Sequence, residues 1–267
     1  MDVEGKVFVV TGGGNGIGRE VVLNLLGRGA RVAAVDVSAD GLAGTTQAAG
    51  ELGANLSCHE LSVADAEAVK LLPEAVISAH GVVDGLINVA GIIQRFVPFA
   101  ELSTADIERV FAVNFWGVVN TVQAFLPYLV ERPAAAIVNV SSMGGFIPIP
   151  GQTVYGASKA AVKLLTEGLH AELRDTGVQV TVIFPGAVAT NITANSGVAL
   201  PGGASTENSA MKMTTAVDAG EVIVQALIKG AYRATIGADA KMLDRLTRLA
   251  PERAMAMVAE QMASLTE

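Results

Sequence analysis

The chain has 267 residues, of which 51% are hydrophobic and only 16% charged; this composition excludes a disordered, solvating polymer and supplies apolar surface for a large core. The formal net charge is −8 and no Lys/Arg cluster occurs, which argues against a nucleic-acid partner. The single cysteine, Cys58, excludes an internal disulfide and a cysteine-based zinc site, so a reducing cytoplasm is the expected compartment.

The first residues carry Asp2 and Glu4 with no basic leader before an apolar run, so they do not read as a signal peptide. Mean hydropathy is +0.47, which calls for a search for membrane spans. Two long uncharged runs exist, 133–158 and 176–206, but Asn139, Ser141, Pro148 and Pro150 interrupt the first, and Pro185, Asn191, Asn195 and Pro201 the second. Neither is the stretch of about 20 apolar residues that a spanning helix needs. No integral membrane segment is expected.

In chain order, the first predicted strand is 6–11. It runs directly into Thr11-Gly12-Gly13-Gly14-Asn15-Gly16-Ile17-Gly18, and a helical segment follows at 19–29. Glycines at such a turn let the backbone approach a pyrophosphate, and the helix N-terminus offers free N–H groups and a favourable dipole. A second strand, 31–36, ends in Asp36, 18 residues beyond Gly18, near the spacing of about 20 for a ribose-binding acid. Its carboxylate would accept from both ribose hydroxyls and repel a 2′-phosphate. Neither Asn15 nor Val37 is basic, and Arg19 lies beyond the glycines. NAD is therefore expected rather than NADP.

A weaker strand follows near 56–63, then a fourth at 84–90 and a long apolar helix around 107–129. The fifth strand, 135–141, ends in Ser141-Ser142, and a Gly/Pro-rich loop leads from there to Tyr155 and Lys159. The helix of about 156–174 puts those two residues, four apart, on one face. An ammonium beside a phenol lowers its pKa, so Tyr155 could act as general acid/base with Lys159 as electrostatic partner. Ser142 sits at a strand carboxyl end, where open α/β sheets place their sites.

The sixth and seventh strands are 178–184 and 233–237. All are apolar on both faces and alternate with helices, as in a parallel sheet covered on both sides. The expected fold is α/β: a Rossmann-like doubly wound parallel sheet of about seven strands, in one domain over 1–267. An irregular stretch, about 191–215, reads as a substrate loop. A helical tail follows at about 239–267. There Met242, Leu246 and Leu249 share a face, and Met255, Met257, Val258 and Met262 add apolar surface. Packing on the domain or on a second subunit is expected, with a substrate lid or membrane-facing surface as the alternative. His59, His80 and His170 are scattered and match no metal pattern.

These motifs, in this order, resemble the short-chain dehydrogenase/reductase superfamily in its single-domain form, from about residue 5 to 237. The family's Thr-Gly-x-x-x-Gly-x-Gly falls on Thr11, Gly12, Gly16 and Gly18. Its Asn-x-Ala-Gly element falls on Asn88, Ala90 and Gly91, its relay Asn on Asn114, and its Pro-Gly-x-x-x-Thr on Pro185, Gly186 and Thr190. The resemblance implies that Asn114, Ser142, Tyr155 and Lys159 are catalytic. Tyr155 would exchange a proton with the substrate oxygen and Ser142 would position that oxygen. Lys159 would lower the Tyr155 pKa and bind the nicotinamide ribose, and Asn114 with a water would connect Lys159 to solvent.

The resemblance also implies a cofactor-binding set of Gly12, Asn15, Gly16, Ile17, Gly18, Asp36, Ser62, Val63, Asn88, Ala90, Gly91, Tyr155, Lys159, Pro185, Gly186, Val188 and Thr190, and no metal. The chain departs from the family after the third strand. Ser62-Val63 stands where an adenine-contacting Asp-Val is usual, unless Glu60 takes that role in a shifted register.

Candidate substrate-pocket residues are Met143, Gly144, Phe146, Ile147 and Ile149, with the loop 191–213. They are mostly apolar. Between 133 and 207 the cations are Lys159, Lys163 and Arg174, which disfavours an anionic substrate. An apolar secondary alcohol or ketone is expected, with a small neutral alcohol close behind. The alternatives are a non-catalytic dinucleotide-binding scaffold or redox sensor, and an NADP-linked 3-oxoacyl-carrier ketoreductase. By the family's analogy, the helices at 107–129 and 156–174 would form the interface of a homotetramer or homodimer.

Overall fold

Seven strands lie in one parallel sheet in the computed structural model, which describes residues 1–198 and 213–261. They are β1 (Val7–Thr11), β2 (Arg31–Asp36), β3 (Leu56–Glu60), β4 (Gly85–Asn88), β5 (Ala135–Val140), β6 (Val178–Pro185) and, after a two-residue pair β7 (Val188–Ala189) and β8 (Thr214–Thr215), β9 (Arg233–Ile236). The order across the large sheet is β3-β2-β1-β4-β5-β6-β9. The β7–β8 pair is parallel and separate; two-residue strands leave no periodic trace in a sequence.

Side chains on a strand alternate between faces, and here both faces are apolar. Val7, Val9, Ala33, Val35, Leu86 and Ile137 point to one side, and Phe8, Val10, Val32, Ala34, Ile87 and Val138 to the other. The first side is covered by α3 (Ala66–His80), α5 (Gly117–Val130) and α6 (Thr153–Glu172), through Leu72, Val76, Val122, Phe125, Leu129, Val162 and Leu169. The second is covered by α1 (Gly16–Gly27) and α8 (Ala216–Lys229), through Val21, Val22, Leu25, Leu26, Ile223, Val224 and Leu227. Each such aliphatic side chain gains about 1.5–3 kcal/mol from burial. α2 (Ala39–Ala49) packs beside α1.

The helix termini follow local chemistry. Asn15 caps α1 by accepting from Gly16 N–H, Asp65 caps α3 by accepting from Glu67 and Ala68, and Thr215 caps α8. Gly230, in the left-handed region, ends α8.

The long helix expected at 107–129 is instead α4 (Thr104–Phe111), a π turn (Ala112–Trp116) and α5. By length and composition the stretch Thr104–Val130 could cross a membrane. Here Val118, Val122, Phe125 and Leu129 lie in the core.

Beyond the short α7 (Ile192–Asn195), the chain ends in α9 (Ala238–Leu249) and α10 (Pro251–Gln261). They form a third apolar cluster in which Ala240, Leu243, Ala254 and Val258 meet Met143 and Ile147, with Phe146, Ile149, Leu246 and Met257 at its margin. This corrects two expectations. The packed face of α9 runs through Ala240, Leu243 and Leu246, whereas Met242 and Leu249 are exposed. The apolar residues after Ser142, read as pocket lining, are largely held under the tail. Met262 and the loop residues 199–212 lie outside the described residues.

Candidate active site

The strand order reverses between β1 and β4, and their carboxyl ends part there to open a crevice, the usual ligand position in such sheets. The turn after β1 and the segment after β4 form its two lips. Thr11 Oγ1 ties them together by accepting from Val89 N–H at 3.1 Å and Ala90 N–H at 3.2 Å. Gly12 sits at φ +70° with no room for a side chain beside Ala90, and a β-carbon on Gly18 would collide with the Gly12 carbonyl oxygen. The glycines of the motif thus let the turn close onto its own helix and onto β4.

The crevice holds about 400 Å³. Its lining includes Gly12, Asn15, Gly16, Ile17 and Gly18 from the turn, then Asp36, Ser62, Val63, Ala90, Gly91 and Thr190. Ser62 rather than the exposed Glu60 faces it. Asp36 Oδ2 accepts from Gly14 N–H at 2.9 Å and Oδ1 from Ser38 N–H at 3.0 Å. Each oxygen keeps a further lone pair for a ligand. Among the described residues no Lys or Arg lines the crevice. Arg19 lies behind the turn, donating to the carbonyls of Gly14 (2.5 Å) and Gly41 (3.2 Å) and to Thr45 Oγ1.

Several lining residues carry no sequence signal. Leu61, Ile92, Val113 and Ile192 are apolar walls, indistinguishable in sequence from ordinary core residues.

Six residues of the cofactor set do not line the crevice: Tyr155 and Lys159, described below, and Asn88, Pro185, Gly186 and Val188. Asn88 is buried between strands, donating to Asn139 Oδ1 at 2.9 Å and accepting from Thr121 Oγ1 at 2.8 Å. This network crosses the sheet and occupies the amide. Pro185, Gly186 and Val188 lie outside the lining. Gly186 is backed by the Asp239 carboxylate, whose Oδ2 accepts from Ala187 N–H at 2.7 Å.

Asn114, Ser142, Tyr155 and Lys159 meet beyond the far end of the crevice. A β-carbon on Gly91 would stand 3.1 Å from Lys159 Nζ and 3.3 Å from Asn114 Oδ1, so both functional groups rest against a crevice-lining glycine. One on Gly144 would touch the Tyr155 ring and Ser142 Oγ. The sequence motifs 91, 114, 142, 155 and 159 are therefore neighbours in space.

The surroundings of Asn114, Lys159 and Tyr155 are specific. Asn114 lies in the π turn, a feature frequent at functional sites. Its side chain clamps Ile92, accepting from the N–H at 2.8 Å and donating to the carbonyl at 2.9 Å, and it donates to Ser158 Oγ at 3.0 Å. Asn114 thereby ties the segment after β4 to Ser158 on α6. Lys159 is buried and donates to the Val140 carbonyl at 3.0 Å. Burial lowers its pKa to about 8. Burial also pushes the Tyr155 phenol above its ordinary value, with Ser142 acting the other way. In both groups desolvation disfavours the charged form.

Residues 6–199 match the family model of the short chain dehydrogenases. SadH of Mycobacterium tuberculosis, described as an oxidoreductase, is 40% identical over 253 residues, covering 92% of this chain and 91% of SadH. A short-chain dehydrogenase/reductase of Burkholderia phymatum in complex with NAD superposes with a TM-score of 0.83 at 26% identity, over 95% of this chain and 96% of that one. A short chain dehydrogenase of Burkholderia cenocepacia in complex with NADP gives 0.80 at 26% identity, over 97% and 99%.

Proposed function

The chain belongs to the short-chain dehydrogenase/reductase family, and on that footing we propose that it is an NAD-dependent oxidoreductase acting on an apolar secondary alcohol or ketone, with Tyr155 as general acid/base. The observation that carries this reading is the meeting of Ser142, Tyr155 and Lys159 at the end of a crevice that begins at a helix N-terminus.

The crevice fits a dinucleotide. The first turn of α1 leaves the N–H groups of Ile17 and Gly18 without intrahelical acceptors, where a pyrophosphate would sit. Asp36 presents carboxylate lone pairs to a ribose, and Ser62 and Val63 stand where an adenine would lie. The carboxylate, with no cation beside it in the crevice, favours NAD over NADP. Thr190 and the 185–188 turn would hold the nicotinamide end.

When bound, the nicotinamide supplies the hydride acceptor or donor. The chain's own residues handle the proton. In reduction, the Tyr155 phenol donates its proton to the substrate oxygen and is left as phenolate; in oxidation, the phenolate takes the alcohol proton and returns to phenol. Ser142 hydrogen-bonds and orients that oxygen. Lys159 places a cation near the developing phenolate, and Asn114 fixes the Ile92 backbone next to Gly91, against which Lys159 is lodged.

Phe146 and Ile149, partly buried beyond Ser142, suit an uncharged, apolar substrate. We also infer that copies associate through α5 and α6, where Tyr128 and Leu164 are exposed, and that the protein works in the cytoplasm. The test is turnover of a panel of secondary alcohols, from small and polar to steroid-sized, with NAD⁺ and NADP⁺ in parallel. The reading expects the larger apolar alcohols with NAD⁺ to lead; a clear preference for NADP⁺ overturns the cofactor assignment.

A further inference from the structure

α6, the helix that carries Tyr155 and Lys159, has no cap of its own. Its N-cap residue, Gln152, makes no side-chain capping bond. The N–H groups of Val154 and Tyr155, in the first turn, have no intrahelical acceptor. Both are satisfied from elsewhere in the chain. Gln94 Oε1 accepts from Val154 N–H at 2.7 Å and from Tyr155 N–H at 3.0 Å.

Further bonds fix that amide. Gln94 Nε2 donates to the Gly151 carbonyl at 2.9 Å, and Gln152 Nε2 donates to the Gln94 carbonyl at 2.9 Å. Gln94 is 1% exposed. It stands three residues past Gly91 on the segment that also carries Ile92, the residue clamped by Asn114. One short segment therefore touches Lys159 through Gly91, Asn114 through Ile92, and the Tyr155 backbone through Gln94.

We infer that Gln94 is a positioning residue: it caps the catalytic helix from across the crevice and sets where Tyr155 stands relative to Lys159 and Ser142. Its catalytic part rests on the assignment of Tyr155 as general acid/base. Two accepted bonds at the helix start fix the residue whose phenol must meet a substrate oxygen, and small misplacements of such groups are costly in rate.

Two variants of equal length separate the cap from mere packing. Gln94→Met keeps the volume and removes the acceptor; Gln94→Glu keeps an oxygen acceptor for both N–H groups. Amide hydrogen exchange at Val154 and Tyr155 in the cofactor-free protein reads the cap directly. Steady-state kinetics and NADH affinity read its consequence.

Gln94→Met is expected to speed exchange at those two amides and to lower kcat about tenfold to a hundredfold, with NADH affinity and KM little changed. Gln94→Glu is expected to restore slow exchange and to recover most of kcat. Unchanged exchange in Gln94→Met, unchanged kcat despite faster exchange, or equal losses in both variants would overturn the proposal. Tyr155→Phe is run alongside. If it keeps wild-type turnover, the assignment of Tyr155 fails by itself, and the exchange data still judge the cap.

Discussion

Lys159 directs its ammonium to the Val140 carbonyl oxygen at 3.0 Å, while burial draws its pKa down to about 8. Its folded value lies below the ordinary 10.5, so between about pH 8 and 10 the unfolded chain binds a proton that the folded chain has lost. Stability therefore rises with pH across that window, by an amount on the order of 3 kcal/mol if the full shift were realised. Tyr155 runs the other way. Its raised pKa makes the unfolded chain ionise first, so stability falls above about pH 10. Urea unfolding between pH 8 and 10 is expected to show the rise in wild type and a flatter response in Lys159→Met. An equal slope in both proteins would contradict the buried, desolvated lysine.

Asp36 closes the crevice with a carboxylate held by Gly14 and Ser38. Replacing it with Ala and Val37 with Arg removes the repulsion of a 2′-phosphate and supplies a cation. The ratio of kcat/KM for NAD⁺ over NADP⁺ is expected to fall about a hundredfold, since each tenfold needs only about 1.4 kcal/mol. An unchanged ratio would show that Asp36 does not select the cofactor.

Gly186 and Asp239 share one small space. A methyl group on Gly186 would collide with the Asp239 carboxylate, which also holds Ala187 N–H at 2.7 Å. Gly186→Ala is expected to cost about 1–3 kcal/mol by overpacking. Asp239→Ala alone should also destabilise, through the lost hydrogen bond. The double variant should lose less than the two single losses combined, because the clash disappears with the carboxylate. Chemical denaturation of the three variants measures the coupling, and simple additivity would argue against the contact.

Asp84 lies at the opposite end of the sheet from the crevice. It is buried, accepts from Val7 N–H at 3.0 Å and pairs with Arg132 at 2.9 Å and Lys6 at 3.6 Å. Removing one partner of such a group leaves the others uncompensated, so Asp84→Ala is expected to cost about 3–5 kcal/mol. The distance from the crevice predicts that turnover per folded molecule is unchanged below the lowered melting temperature.

The large sheet was readable because its central strands are apolar on both faces and bounded by breakers, as Val7–Thr11 and Arg31–Asp36 illustrate; the edge strand Leu56–Glu60 is polar and gave a weaker signal. The crevice was readable because glycines and Asp36 recur at a spacing that a strand–turn–helix unit imposes. What the sequence hid depends on contacts between distant residues. The π turn at Asn114 interrupts an unbroken helical pattern. Gln94 is an amide in an irregular segment with no motif around it, and its bonds to Val154 and Tyr155 span about 60 residues of chain. The use of Met143 and Ile147 to seat the tail, rather than to line a pocket, likewise follows from tertiary packing that hydrophobicity does not specify.

The central claim is that Tyr155 moves the proton. The most direct measurement is kcat with NAD⁺ and the best alcohol substrate for wild type and Tyr155→Phe, with NADH binding measured in both. The account predicts a loss of about 10²–10⁴-fold in kcat, with NADH affinity retained. Turnover within a few-fold of wild type in the phenylalanine variant would contradict it.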